Sequence, residues 1–233
     1  MGSLTFSLHL ILSFLLASSI LLEFHGYYVR TLATLNVQSS SLSLSNWIVY
    51  VARILNVSFA FALAFAFEFG LELQLSVIFL VGFLFGFLLS LLYWKTGFVE
   101  ELGCRLLWRL VFFSHASLKA CRYWRPVRLG FSKRGTSMMA CATAAYGALI
   151  VPFFVARHFP EYRMASVYAG QAFNFLSTFV LLTIVEPRMM LDLDRANAAG
   201  GDAKGVDGFI AGRLWLTGVM VVICGIWIVF FSE

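Results

Sequence analysis

Charge is the scarcest commodity in this chain. Asp, Glu, Lys and Arg make up 12% of its 233 residues, about half the share of an ordinary soluble domain, while 61% are hydrophobic. The deficit excludes a soluble globular domain and implies an all-α integral membrane protein, long enough for about five to seven spans of about 20 residues each. The four cysteines, Cys104, Cys121, Cys141 and Cys224, show no CxxC spacing and lie in or beside apolar stretches, so neither a zinc cluster nor a disulfide framework is indicated. The histidines His9, His25, His115 and His158 are scattered, none at metal-ligand spacing from a carboxylate. There is no G-x-S-x-G, P-loop or H-E-x-x-H sequence, and no nucleophile can be paired with a nearby base. No metal, cofactor or catalytic residue is therefore expected, and a transporter is favoured over an enzyme. No lysine or arginine precedes the apolar run Ser3–Leu22 and no compact cleavage site follows it, so it reads as a retained first span instead of a signal peptide.

What is present is long apolar runs, arranged as one polytopic domain over 1–233. About six spans are expected, near 3–22, 39–67, 73–94, 136–156, 164–185 and 210–231. A short polar turn through Glu23, His25, Gly26 and Arg30 should join the first two. The second span is longer than a perpendicular crossing needs, which implies tilt or a protruding end. In the third, Gly82 and Gly86 lie four apart, a spacing that lets helix backbones approach closely, and Tyr93 and Trp94 should mark the interface. Small residues at Ala140, Ala144 and Gly147 line one face of the fourth. A tight turn containing Pro160 runs from Arg157 to Arg163, and a hydrophilic loop covers about 187–209.

Lys95, Arg105, Arg109, Lys119, Arg122, Arg125, Arg128, Lys133 and Arg134 are interleaved with Leu106, Leu107, Trp108, Phe112, Phe113 and Trp124. This mixture predicts a basic amphipathic segment, 95–134, lying on the membrane surface between spans 3 and 4. The apolar run 110–113 suits lipid better than nucleic acid, so membrane lipids are expected partners and nucleic acid is not; the plainer reading is a topology signal alone. Basic residues in alternate loops set orientation. Arg30, the basic segment, Arg188, Arg195, Lys204 and Arg213 fall on one side, and only Arg157 and Arg163 on the other. The first side is then cytoplasmic, with both termini outside. No internal repeat is evident.

The sharpest anomaly is Arg53. A charge at bilayer depth costs roughly 2.5–3.5 kcal/mol on insertion scales and usually faces a bundle interior or a cavity, although a structural, snorkelling arginine is the plainer reading. Ser39, Ser43, Asn46, Tyr50 and Arg53 fall on one helical stripe, with Asn56 a turn beyond. A second stripe, Tyr168, Gln171, Asn174 and Thr178, ends at Glu186-Pro187-Arg188. The two should face each other. Asp192 and Asp194 could hold a magnesium ion, but a solvated loop pair is the better reading; the sequon at Asn56 lies inside a span and is discarded. Arginine forks bind phosphate oxygens and stay charged when partly desolvated, so an anionic lipid headgroup is the natural ligand. The candidate substrate-binding residues are Arg53, Arg30, Asn46, Tyr50, Asn56, Gln171, Asn174, Glu186 and Arg188.

The runs Tyr28-Val-Arg30-Thr-Leu-Ala33, Ser41-Leu-Ser-Leu-Ser-Asn46 and Ala52-Arg53-Ile-Leu-Asn56 resemble the N-terminal part of the Amj family, the alternate lipid II flippases of bacteria. Tyr146-Gly-Ala-Leu-Ile-Val-Pro152-Phe-Phe, Phe159-Pro-Glu-Tyr-Arg-Met164 and Glu186-Pro-Arg188 are similar to its C-terminal half. Glu186 stands where the family has an aspartate, a change that keeps the charge. The resemblance implies a polytopic protein of the bacterial inner membrane that moves an undecaprenyl-pyrophosphate-linked peptidoglycan precursor, lipid II, to the outer leaflet, in the service of cell wall biogenesis and cell shape. The alternatives are a membrane enzyme acting on a lipid phosphate, or a scaffold that binds anionic or polyprenyl-phosphate lipids. A cavity shared by the two stripes and open to lipid would favour the translocator.

Overall fold

In the computed structural model, residues 2–31, 38–69, 73–96, 130, 132–198 and 204–231 are described. Among them there is no strand, and six helices are long and apolar enough to cross a membrane. The elements are α1 (Gly2–Thr31), α2 (Gln38–Glu68), α3 (Leu75–Thr96), α4 (Lys133–His158), α5 (Arg163–Val180), α6 (Glu186–Ala198) and α7 (Lys204–Phe231). A single 3-10 turn, Pro160–Tyr162, joins α4 to α5. The expected segment 95–134 falls almost wholly outside the described residues. At its far end Ser132 caps α4 by accepting from the Gly135 N–H at 3.1 Å, which satisfies one of the donors left free at a helix start.

The spans pack in a series that does not follow the sequence. α2 packs on α1, α1 on α3, α3 on α7, α7 on α4 and α4 on α5, while α5 and α2, the two ends of the series, have no comparable packing on each other among the described residues. The bundle is thus an open ring with one seam. Close crossings hold the ring. Leu16 and Ile20 of α1 fill the notches at Gly82 and Gly86 of α3, where a Cβ would collide with them, as the four-residue glycine spacing predicts. At the α4/α7 crossing Gly212 lies directly on the backbone of Gly135. The end carrying Arg30, Lys133 and Arg134, here called the basic end, is filled by Phe24, Tyr28, Tyr93, Met189 and Phe209. Leu16, Phe59, Phe79, Phe83 and Tyr146 belong to the core of the remaining depth.

Five expectations need correction. The turn through Glu23, His25, Gly26 and Arg30 is absent: α1 continues to Thr31, because its polar groups find partners inside the bundle, as His25 does with the Tyr93 hydroxyl at 2.7 Å. Tyr93 is therefore fully buried and marks no interface. The loop expected over 187–209 is helical through Ala198 and again from Lys204. Met189, Leu193 and Ala196 form the buried stripe of α6, and Asp192 receives the fork of Arg134 at 2.6 and 2.7 Å, so it is neither a solvated loop residue nor half of a metal pair. Arg157 is in α4 and donates to the Leu73 carbonyl at 2.6 Å, so it ties α4 to the start of α3 and is not held loose in a turn.

α5 and α6 form one continuous crossing interrupted by a π turn at Leu181–Val185, where the Glu186 N–H bonds five residues back to the Leu181 carbonyl. Pro187 supplies the reason. It has no N–H for the Thr183 carbonyl and its ring crowds that oxygen, so the ladder shifts by one residue ahead of it. Such bulges concentrate at functional sites.

Candidate functional site

Arg53 and Asn56 of the first polar stripe and Gln171, Asn174 and Thr178 of the second line one cavity of about 1090 Å³, bounded by α1, α2, α4, α5 and α7. It lies along the seam of the ring, between α2 and α5. Room is left by small residues on facing walls, Ala60 and Ala64 of α2 and Ala145, Ala148 and Gly170 of α4 and α5. The cavity runs from Glu68, Pro160 and Met164 at the end opposite the basic end inward to Tyr27, Cys141 and Leu181. Its polar lining includes Glu23, Arg53, Asn56, Gln171, Asn174 and Arg213, with Glu68 at its outer end and Ser166, Ser177 and Thr178 along α5.

Arg53 is exposed on this wall, and among the described residues it carries no ion pair or hydrogen bond. Gln171 and Asn174 face it from α5, both exposed. A guanidinium with no ion pair among the described residues, sharing a cavity with two amides, offers several donors to an anion with several acceptor oxygens.

Deeper in the cavity wall, Arg213 of α7 pairs with Glu23 of α1, their side chains 6% and 14% exposed. The Arg213 guanidinium lies 4.7 Å from the centre of the Tyr146 ring. Asn56 donates to Glu23 Oε1 at 3.5 Å and accepts from Ser19 at 2.6 Å. Burying two charges is repaid only when geometry and extra hydrogen bonds compensate, yet Arg213 Nε is buried without a hydrogen-bond partner among the described residues.

A second cluster closes the cavity toward the basic end. Arg30 donates from Nη1 to Glu186 at 2.5 Å, from Nε to Ser45 at 2.8 Å and from Nη2 to Asn46 at 3.0 Å. Ser45 in turn donates to the Gly26 carbonyl at 2.7 Å. The Tyr27 ring separates this cluster from the cavity: it lines the cavity and lies 5.3 Å from the Arg30 guanidinium.

Of the sequence candidates, then, Arg53, Asn56, Gln171 and Asn174 share the cavity. Arg30, Asn46 and Glu186 do not line it, and Arg30 joins the other two in the separate cluster toward the basic end. Tyr50 and Arg188 are exposed but do not line the cavity. Sequence reasoning missed Glu23 and Arg213. The signal existed for both, since apolar residues continue on either side of each: Leu21 and Leu22 before Glu23 with Tyr27, Tyr28 and Val29 after it, and Phe209, Ile210 and Ala211 before Arg213 with Leu214 after it.

Comparisons with protein families, with characterised proteins and with solved structures find no match to this chain.

Proposed function

We propose that the protein translocates a lipid whose headgroup carries a diphosphate, namely the undecaprenyl-pyrophosphate-linked cell-wall precursor lipid II, from the cytoplasmic to the outer leaflet of the bacterial inner membrane. The observation that carries this reading is the shared cavity: Arg53, without a counter-ion among the described residues, lines it together with Gln171 and Asn174 along the seam between α2 and α5. A headgroup enters through such a seam while its prenyl tail stays in lipid, which spares the apolar chain from water. Arg53 takes phosphate oxygens through its planar fork, and the amides take the sugar and phosphate acceptors around it. The likeness of the Tyr28–Ala33, Ala52–Asn56 and Glu186–Arg188 runs to the lipid II flippases points the same way, and it names the headgroup.

The concentration of lysines and arginines at the basic end supports a cytoplasmic position for that end, with both termini outside. The cavity then faces outward, and Arg30–Glu186 with Tyr27 is the closed inner gate. The lipid moves without covalent chemistry, so the role is transport and not catalysis. The test is reconstitution of the purified protein into liposomes carrying fluorescent lipid II in one leaflet: transfer to the other leaflet above protein-free liposomes supports the reading, and an unchanged leaflet distribution refutes it.

A further inference from the structure

The cavity holds a second cation whose charge is masked. Arg213 is 5% exposed and lines the cavity, it is paired with Glu23, and its Nε is buried without a hydrogen-bond partner among the described residues. Arg53 by contrast has no counter-ion among the described residues. The two are linked through one residue: Asn56 lies three positions from Arg53, hence on the same helix face, and its amide donates to Glu23.

We propose that Arg213 is a second phosphate-binding residue of the cavity, that Glu23 is its exchangeable counter-ion, and that the pair makes the site select a diphosphate ester over a monophosphate. The inference rests on the reading of the cavity as an anion site. A monophosphate is satisfied by Arg53 alone. A diphosphate presents a second charged group, and it engages Arg213 by displacing Glu23, which keeps its bond to Asn56. The unpartnered Nε gives Arg213 a donor for the incoming oxygen, and the Tyr146 ring holds the guanidinium in place during the exchange, because a cation over a ring face is attracted whichever anion it faces. In the resting state Glu23 keeps Arg213 from standing as a buried, uncompensated charge.

The experiment is binding of geranyl diphosphate and geranyl monophosphate to the full-length protein in nanodiscs. The parental protein should prefer the diphosphate by about tenfold, the low end for one additional charge-assisted hydrogen bond. Glu23→Gln unmasks Arg213 and should tighten diphosphate binding several-fold. The double variant Glu23→Gln/Arg213→Gln removes both charges together, so neither is left buried alone, and should bind both ligands equally. If Glu23→Gln does not fold, the double variant decides by itself. A double variant that retains the preference for diphosphate overturns the proposal, as does a folded Glu23→Gln protein with unchanged or weaker diphosphate affinity. Binding that depends on Arg53 in either of those cases leaves the anion cavity standing, whereas no binding of either ligand to the parental protein removes the cavity reading and this inference together.

Discussion

Arg30 and Glu186 meet at 2.5 Å across 156 positions of sequence, with side chains 4% and 24% exposed. The contact joins the end of α1 to the residue that follows the π turn, so the local shift in the α5 ladder and the closure of the basic end are one arrangement. Breaking a buried pair by removing one partner leaves an uncompensated charge, and Arg30→Ala should cost about 3 kcal/mol, the low end of the usual range because Glu186 retains some exposure. Arg30→Met/Glu186→Leu should cost markedly less. Unfolding of the purified variants in detergent checks both, and an Arg30→Ala protein as stable as the parent contradicts the account of this cluster.

The two glycine crossings should differ in tolerance. At Gly82 a new methyl meets the Leu16 side chain, and at Gly212 it meets the backbone of Gly135. A side chain can shift and a packed backbone cannot, so Gly212→Ala should cost more than Gly82→Ala, which stays within about 1–3 kcal/mol, the usual range for overpacking. The same unfolding measurement ranks them, and a Gly212→Ala protein less affected than Gly82→Ala contradicts the close α4/α7 crossing.

Water should reach the seam but not the outer wall beside it. In a background with all four cysteines replaced, Gln171→Cys and Asn174→Cys should react with a charged, membrane-impermeant methanethiosulfonate reagent. Phe175→Cys, at a position 72% exposed and outside the cavity lining, faces lipid and should react at least about tenfold more slowly, since the thiolate does not form in apolar surroundings. Equal rates at Asn174 and Phe175 contradict a polar cavity on α5.

The six crossings were legible because apolar runs of that length have no other use, and Gly82 and Gly86 announced a close approach that Leu16 and Ile20 complete. Arg53 was legible for the opposite reason, as a charge in a place where charge is costly. The pairings were not. Nothing in the periodicity of α1 says that Glu23 will meet Arg213 of the last helix, and without that partner Glu23 and Arg30 look like the residues of a turn. The same blindness made α6 look like loop: its hydrophilic residues are tolerated in a helix because Asp192 has Arg134, while its buried stripe of Met189, Leu193 and Ala196 is short. The order of helices around the ring, which creates the seam, depends on contacts such as Gly212 on Gly135 that only the folded chain reveals.

The central claim is that the uncompensated charge of Arg53 binds the headgroup during translocation, and the direct measurement compares transfer of fluorescent lipid II in liposomes by the parental protein, Arg53→Ala and Arg53→Lys, each with its unfolding curve. Arg53 has no partner among the described residues, so its replacement should leave stability within about 0.5 kcal/mol, as for substitutions away from specific contacts. Translocation should nevertheless be abolished by alanine and partly restored by lysine, which returns the charge without the planar fork. An Arg53→Ala protein that folds normally and moves the lipid at the parental rate contradicts the claim.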